Sequence, residues 1–385
     1  MKNSMKTRTL PRISRLVGMV RGVPIIPINV VAPPCGAISL PRLAGLLTLS
    51  LRAVGKVVIA RRVGANLFAR LVAISLFLIS SVPIILHAVS FSSSTIASVG
   101  DAGYFTQIVV GSDGGRHAIY ATSLDTVRYS SAPANGSWGP FTTVFDGYCT
   151  TWISVAIDTT TVPNKLHLSA YNSTLGDLVY SSATIGASSI VWSSSTVNST
   201  NDTGMYTSIA IDSLGAPHIS YRDKTIAVLK YSSYTAAGWL SYTVDDTPGT
   251  DSGLYTSIKI NSAGLRHIVY GSWNGADYDL KISTKMAVGW STSTIVSAGS
   301  AGTYCSLAID PPGDMHVSYQ DVTTGNLKYI KRLAGAWQSE VVVDNSIGTG
   351  ALWSSIGLDY NNYPHISYYD ILNTDLKYAQ YTGSW

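Results

Sequence analysis

Short apolar runs, each closed by a turn, follow one another along the chain from about residue 103 to its end. In residues 206–231 they read TSIAI, HISY and LKY, rich in β-branched and aromatic side chains, with a fourth run opening at Trp239. Between them stand turn formers, such as DSLG at 212–215 and PPGD at 311–314. No stretch of this region has helical periodicity. The pattern predicts units of four short strands.

The unit recurs six times. His117, His167, His218, His267, His316 and His365 are spaced 50, 51, 49, 49 and 49 residues apart. Leu178, Leu229, Leu280, Leu327 and Leu376 keep the same beat, as do Trp138, Trp192, Trp239, Trp290, Trp337 and Trp385. A period near fifty residues marks a propeller or a similar array, so the expected fold is all-β: a six-bladed β-propeller of four-stranded blades. The last unit stops at Trp385 without a fourth strand, while STIASVGDAGYF (94–105) parallels STIVSAGSAGTY (293–304), the fourth strand of unit four with its exit loop. We therefore expect residues 94–99 to complete the last blade and close the ring, leaving only short protected edges.

Charge divides the chain. Residues 1–70 hold twelve Lys or Arg and no carboxylate, a basic, Pro-broken segment expected to be disordered. Residues 71–91 follow without a charge, long enough to cross a bilayer as a signal anchor or to serve as a signal peptide. Arg61, Arg62 and Arg70 precede this span, which puts the N-terminus in the cytoplasm and residues 92–385 outside, at the cell surface or secreted. From residue 91 onward the sum is 14 − 22 = −8 with His neutral, a poor surface for nucleic acid. Cys149 and Cys305 fall in blades two and five, on opposite sides of a six-membered ring, which argues against a disulfide between them.

The units resemble the repeats of secreted prokaryotic β-propellers, whose signature runs SIAID, Gly, PHISYYD and LKYA, here clearest at 206–231 and 353–379. The resemblance implies the fold and an exported setting, and little about activity. A residue repeated in every blade serves what every blade needs, so the histidines are expected to be scaffold, hydrogen-bonded to Asp223, Asp321 and Asp370 rather than to a metal. The tryptophans that open the fourth strands are expected to pack between blades.

Candidate binding residues are of two kinds. Each first strand carries one aromatic near its start: Phe105, Trp152, Tyr206, Tyr255, Tyr304 and Trp353. Placed on inner strands, they either ring one mouth of the central channel or pack against the neighbouring blade. Blade four breaks the symmetry with a longer connection, GSWNGADYDLK (271–281), which adds Trp273, Asp277, Tyr278 and Asp279. Aromatics beside carboxylates suit a sugar platform, with calcium the only cofactor in view and an ordinary polar turn the plain alternative. Glu340 is the only glutamate, and no G-x-S-x-G, H-E-x-x-H or phosphate loop occurs. The sequence thus predicts a membrane-tethered, non-enzymatic module binding glycan or protein. The alternative is a glycan-processing enzyme with aspartates at the channel mouth.

Overall fold

A computed structural model describes residues 94–98, 102–122, 126–146, 150–186, 190–345 and 350–385. The basic segment 1–70, the apolar span 71–91 and Cys149 lie outside the described residues. The described chain is all-β, six antiparallel sheets each built as a meander in sequence order. This is the six-bladed propeller that the period predicts.

The inner strands are Ala102–Val110, Thr150–Asp158, Thr203–Ile211, Asp251–Ile260, Ala301–Ile309 and Ala351–Leu358, and successive ones lie side by side. Second strands are the most buried; Pro217–Asp223 and Met315–Asp321 are buried at every position, because a blade in mid-sheet has a neighbour on both faces. Fourth strands face solvent, as in Gly238–Asp245.

The core lies between blades rather than within them. Leu229 and Tyr231 of blade three pack with Ile258, Ile268 and Tyr270 of blade four. Four of the six repeated tryptophans pack on the third-strand tyrosine of the preceding blade: Trp192 on Tyr129 at 5.6 Å, Trp239 on Tyr180 at 5.0 Å, Trp290 on Tyr231 at 5.0 Å and Trp385 on Tyr329 at 5.1 Å. These tryptophans are packing residues, as expected.

Polar groups bind blade to blade in the same rhythm. A serine on the inner strands of blades two to five accepts a backbone N–H from the next: Ile209 to Ser154, Ile258 to Ser208, Leu307 to Ser257 and Ile356 to Ser306, at 3.1 to 3.2 Å. Asp245 ends blade three and accepts from Tyr270 (2.7 Å) and Lys281 (3.0 Å) of blade four. Asp344 serves Tyr368 (2.6 Å) and Lys377 (3.2 Å) of blade six in the same way. Between blades four and five Val296 occupies that position and has no acceptor to offer. Glu340 supplies it instead, taking the Tyr319 hydroxyl and, at 2.9 Å, the Lys328 ammonium. The only glutamate of the chain is a structural acceptor.

Ring closure is where the structure departs from expectation. Residues 94–98 form no strand, and blade six has three among the described residues. The segment runs beside blade one, where Trp138 donates its indole N–H to Ser94 Oγ at 3.2 Å and Thr95, Ile96 and Ala97 border a cavity with Gly103, Gln107 and Ile108. The physical reason is apolar surface. Ile108 stands where Ile209 and Ile258 pack on a preceding blade, and it is 58% exposed, so Ile96 covers part of that face. The blade-six edge keeps Leu376 at 83% exposure.

Candidate functional site

Each blade has two ends. The first turn and the histidine lie at one; the start of the inner strand and the second connection lie at the other, since Asp251 pairs with Trp273 across the sheet.

At the histidine end every ring makes a hydrogen bond through Nδ1 within its own blade. His218 accepts from the Tyr231 hydroxyl at 2.5 Å through Nδ1 and donates through Nε2 to Asp212 at 3.0 Å. His316 repeats this with Tyr329 (2.7 Å) and Asp310 (3.5 Å); His365 bonds Tyr378, with Asp359 3.7 Å from its Nε2. His117 and His167 bond Tyr129 and Tyr180; His267 bonds Thr284 and Asn261. Burial lowers the pKa of His117, His167, His218, His267 and His316, to about 4 for His167 and His267. The scaffold role is as expected, but the partner is corrected. The carboxylate comes from the first turn, six residues before the histidine, because that turn folds back over the ring. Asp223, Asp321 and Asp370 instead hold the LKY lysines, Lys230 (3.5 Å), Lys328 (2.8 Å) and Lys377 (2.9 Å).

The aromatic end is different in kind. Every inner strand is bulged there, and the bulge puts Phe105, Tyr206, Tyr255, Tyr304 and Trp353 at φ of 46°, 54°, 53°, 50° and 53°. That region is a genuine outlier for a bulky side chain and stores on the order of 1–3 kcal/mol per residue. In four blades a glycine stands two residues earlier, at 103, 204, 253 and 302, whereas Ala351 holds that place before Trp353. A Cβ on Gly204 would lie 2.9 Å from Leu178 Cα, and one on Gly302 2.8 Å from Leu280 Cα, so no side chain fits between the blades.

The bulges aim all six rings into one ladder around the channel. Centroids are 6.2 Å apart from Phe105 to Trp152, 4.6 Å to Tyr206, 4.6 Å to Tyr255, 4.3 Å to Tyr304 and 5.6 Å to Trp353. Phe105 and Trp353, the two ends, are the most exposed at 37% and 57%. The two expectations for these residues merge: they pack on their neighbours and line the mouth at once. Burial raises Tyr206 and Tyr255, the latter far above the usual phenol range with the adjacent tyrosine hydroxyls adding to it, so both stay protonated donors.

Polar groups flank the ladder. Asp251 accepts both forks of Arg222 at 2.6 and 2.7 Å, and Asp202 accepts from Tyr171 (2.5 Å) and Lys224 (3.0 Å). Tyr171 and Tyr369 extend the aromatic surface outward, onto Trp152 and Trp353. Blade four brings Trp273 and Tyr278 to this end, rings 4.8 Å apart. Asn274 Oδ1 is occupied by the N–H groups of Ala276 and Asp277, and its amide reaches Asp279 at 3.4 Å. Among the described residues no three His, Cys, Asp or Glu side chains converge as a metal site. Cys305 is buried, its Sγ 3.0 Å from the Tyr255 carbonyl.

No protein-family model and no curated protein matches this sequence. Solved structures do match in fold. A protein of unknown function from Dyadobacter fermentans superposes with a TM-score of 0.53 at 9% identity, over 72% of this chain and 93% of that one. The fucose-specific lectin of Aleuria aurantia gives 0.50 at 12% identity, over 74% and 94%. A polysaccharide lyase, an ulvan lyase, gives 0.51 at 9% identity, over 72% and 78%. Identities this low establish the shared six-bladed architecture and nothing finer. They do correct the expectation of a non-enzyme: the same architecture carries a lyase, so it gives no ground for excluding catalysis.

Proposed function

We propose that this propeller engages a glycan at its aromatic mouth, as an exported module held to the membrane by residues 71–91. One observation carries the reading: six aromatic rings, one per blade, stacked into a ladder and left part-exposed by backbone that is strained to put them there. Strain of that kind persists where a site needs it. Flat apolar faces beside hydroxyl and carboxylate groups match the apolar face and polar rim of a sugar ring. The lectin and the lyase that share the fold act as their names say, and both names concern carbohydrate. The uncharged span and the arginines before it support export.

A glycan array probed with the full-length chain tests this. Binding that is weakened by Trp353→Ala and retained by Leu214→Ala, an exposed change at the histidine end, is the expected result; an array without a hit removes the proposal.

One observation favours a second reading, in which the bound glycan is also cleaved. The Thr203 N–H donates to the Gly176 carbonyl at 2.8 Å, which brings residues 202–203 beside 176–177 at the mouth. Burial raises the Asp177 carboxyl. It acts the same way on Asp202, but the Tyr171 hydroxyl and Lys224 outweigh it and the net direction is down. Carboxylates pushed apart are the pattern of an acid and its partner. Release of reducing ends from a bound glycan, lost in Asp177→Asn, distinguishes cleavage from binding alone.

A further inference from the structure

One level of the channel lies beyond the ladder, where each inner strand pairs with its blade's histidine. The residues there are Val109 opposite His117, Ala156 opposite His167, Ala210 opposite His218, Lys259 opposite His267, Ala308 opposite His316 and Gly357 opposite His365. Five are small and apolar. The sixth carries an ammonium.

Lys259 has no partner among the described residues. Among the described residues the six inner strands hold three charged side chains in all. Asp158 is bonded by Thr160 at 2.6 Å, and Asp251 by Arg222. Lys259 forms no hydrogen bond or ion pair. Its side chain is reached by solvent, yet burial holds its pKa below the usual lysine range. Its inner strand and its register opposite His267 place it on the channel wall, where solvent reaches it. The carboxylates nearer the mouth are held by their own cations, Asp251 by Arg222 and Asp202 by Lys224. It is a charge on the channel wall without a counter-charge, and the small residues around it leave room for one to be brought in.

We propose that Lys259 receives the oxyanion, carboxylate or sulfate, of an acidic sugar whose neighbouring units lie on the aromatic ladder. The inference rests on the glycan reading above and names the class of ligand. Lys259 is four residues beyond Tyr255, roughly 13 Å along the strand, so a molecule touching both is an oligosaccharide. The ammonium makes a charge-assisted bond to the acid, and binding restores the protonation that burial opposes.

Calorimetry on the full-length chain tests it, with a hexuronic-acid oligosaccharide and its carboxyl-reduced counterpart as probes. The acid should bind about tenfold more tightly, about 1.4 kcal/mol. Lys259→Met should erase the difference while leaving the reduced sugar's affinity unchanged, and Lys259→Arg should keep most of it. Tyr255→Ala should weaken both sugars and preserve their ratio. Equal affinity of the wild type for both probes, or discrimination surviving Lys259→Met, overturns the role of Lys259 and leaves the glycan reading standing. If neither sugar binds, the glycan reading fails by itself. Inorganic sulfate, followed through the side-chain resonance of Lys259, then tests the anion site alone: a saturable shift supports it as a site for a free oxyanion, and an unresponsive resonance rules it out.

Discussion

The two ends of the channel repeat with equal fidelity and mean different things. At the histidine end each ring bonds a hydroxyl of its own blade, three rings also lie beside a carboxylate of the first turn, and five of the six are buried. At the aromatic end the repeated side chains are held in strained backbone, touch their counterparts in adjacent blades and stay partly open to solvent. Repetition alone therefore does not separate scaffold from site. What separates them is whether the group is buried with its bonding and packing used up inside the propeller, or keeps a face open to solvent.

The sharpest test of that criterion is a group at the aromatic end that it classes as scaffold. Asp245 is buried and accepts from Tyr270, Lys281 and Ser252. Asp245→Ala leaves Lys281 buried without its partner and should lower stability by about 3–5 kcal/mol in denaturant unfolding, with glycan affinity of the folded fraction unchanged. A change confined to binding would show that proximity to the mouth, not satisfaction, decides the role.

The histidine end should declare itself in acid. Burial depresses the folded-state pKa of His167 and His267 to about 4, against an ordinary value of 6.5. The neutral rings are favoured by folding. Their contribution is complete above pH 6.5 and is lost as pH falls toward 4, on the order of 3 kcal/mol for each. Unfolding free energy measured between pH 7 and 4 should fall steeply, and His167→Gln should flatten the slope. A pH-independent stability over that window contradicts buried neutral rings. At fixed pH 7, His218→Ala should cost about 1–3 kcal/mol by orphaning Tyr231 and Asp212, without affecting binding at the far end.

How much of this the sequence carried depends on which distances matter. The fifty-residue beat specifies blade number, and the tryptophans proved to be inter-blade packing because one large apolar residue per unit has little else to do. The histidines read correctly as scaffold, but spacing does not say how far a turn folds back, so Asp223 was expected where Asp212 is found. Gly-x-aromatic at 204–206, 253–255 and 302–304 was visible as a motif; that it encodes a bulge with φ near 50° depends on Leu178 and Leu280 pressing on the glycines. Lys259 is not legible from the repeat, because its signal is a departure from it at one position of one inner strand. The resting place of residues 94–98 turned on which apolar face was left uncovered, which no strand pattern reports.

Trp273 probes the comparison with the smallest expected effect on the fold. Unlike Trp239 and Trp290, which stack on a tyrosine of the preceding blade, it contacts Tyr278 of its own connection. By the criterion above it is unsatisfied, an aromatic face presented beside the ladder. Trp239→Ala should destabilise by about 3 kcal/mol or more, as large-to-small core changes do. Trp273→Ala should leave the melting temperature within a degree or two of wild type, since surface substitutions rarely exceed about 0.5 kcal/mol. Binding is where it should register, with a loss of about 2 kcal/mol, close to thirtyfold, if the aromatic anchors the ligand. If Trp273→Ala leaves affinity intact while changes in the opposite turns, at 213–216 or 311–314, abolish it, the ligand sits at the histidine end and the criterion fails.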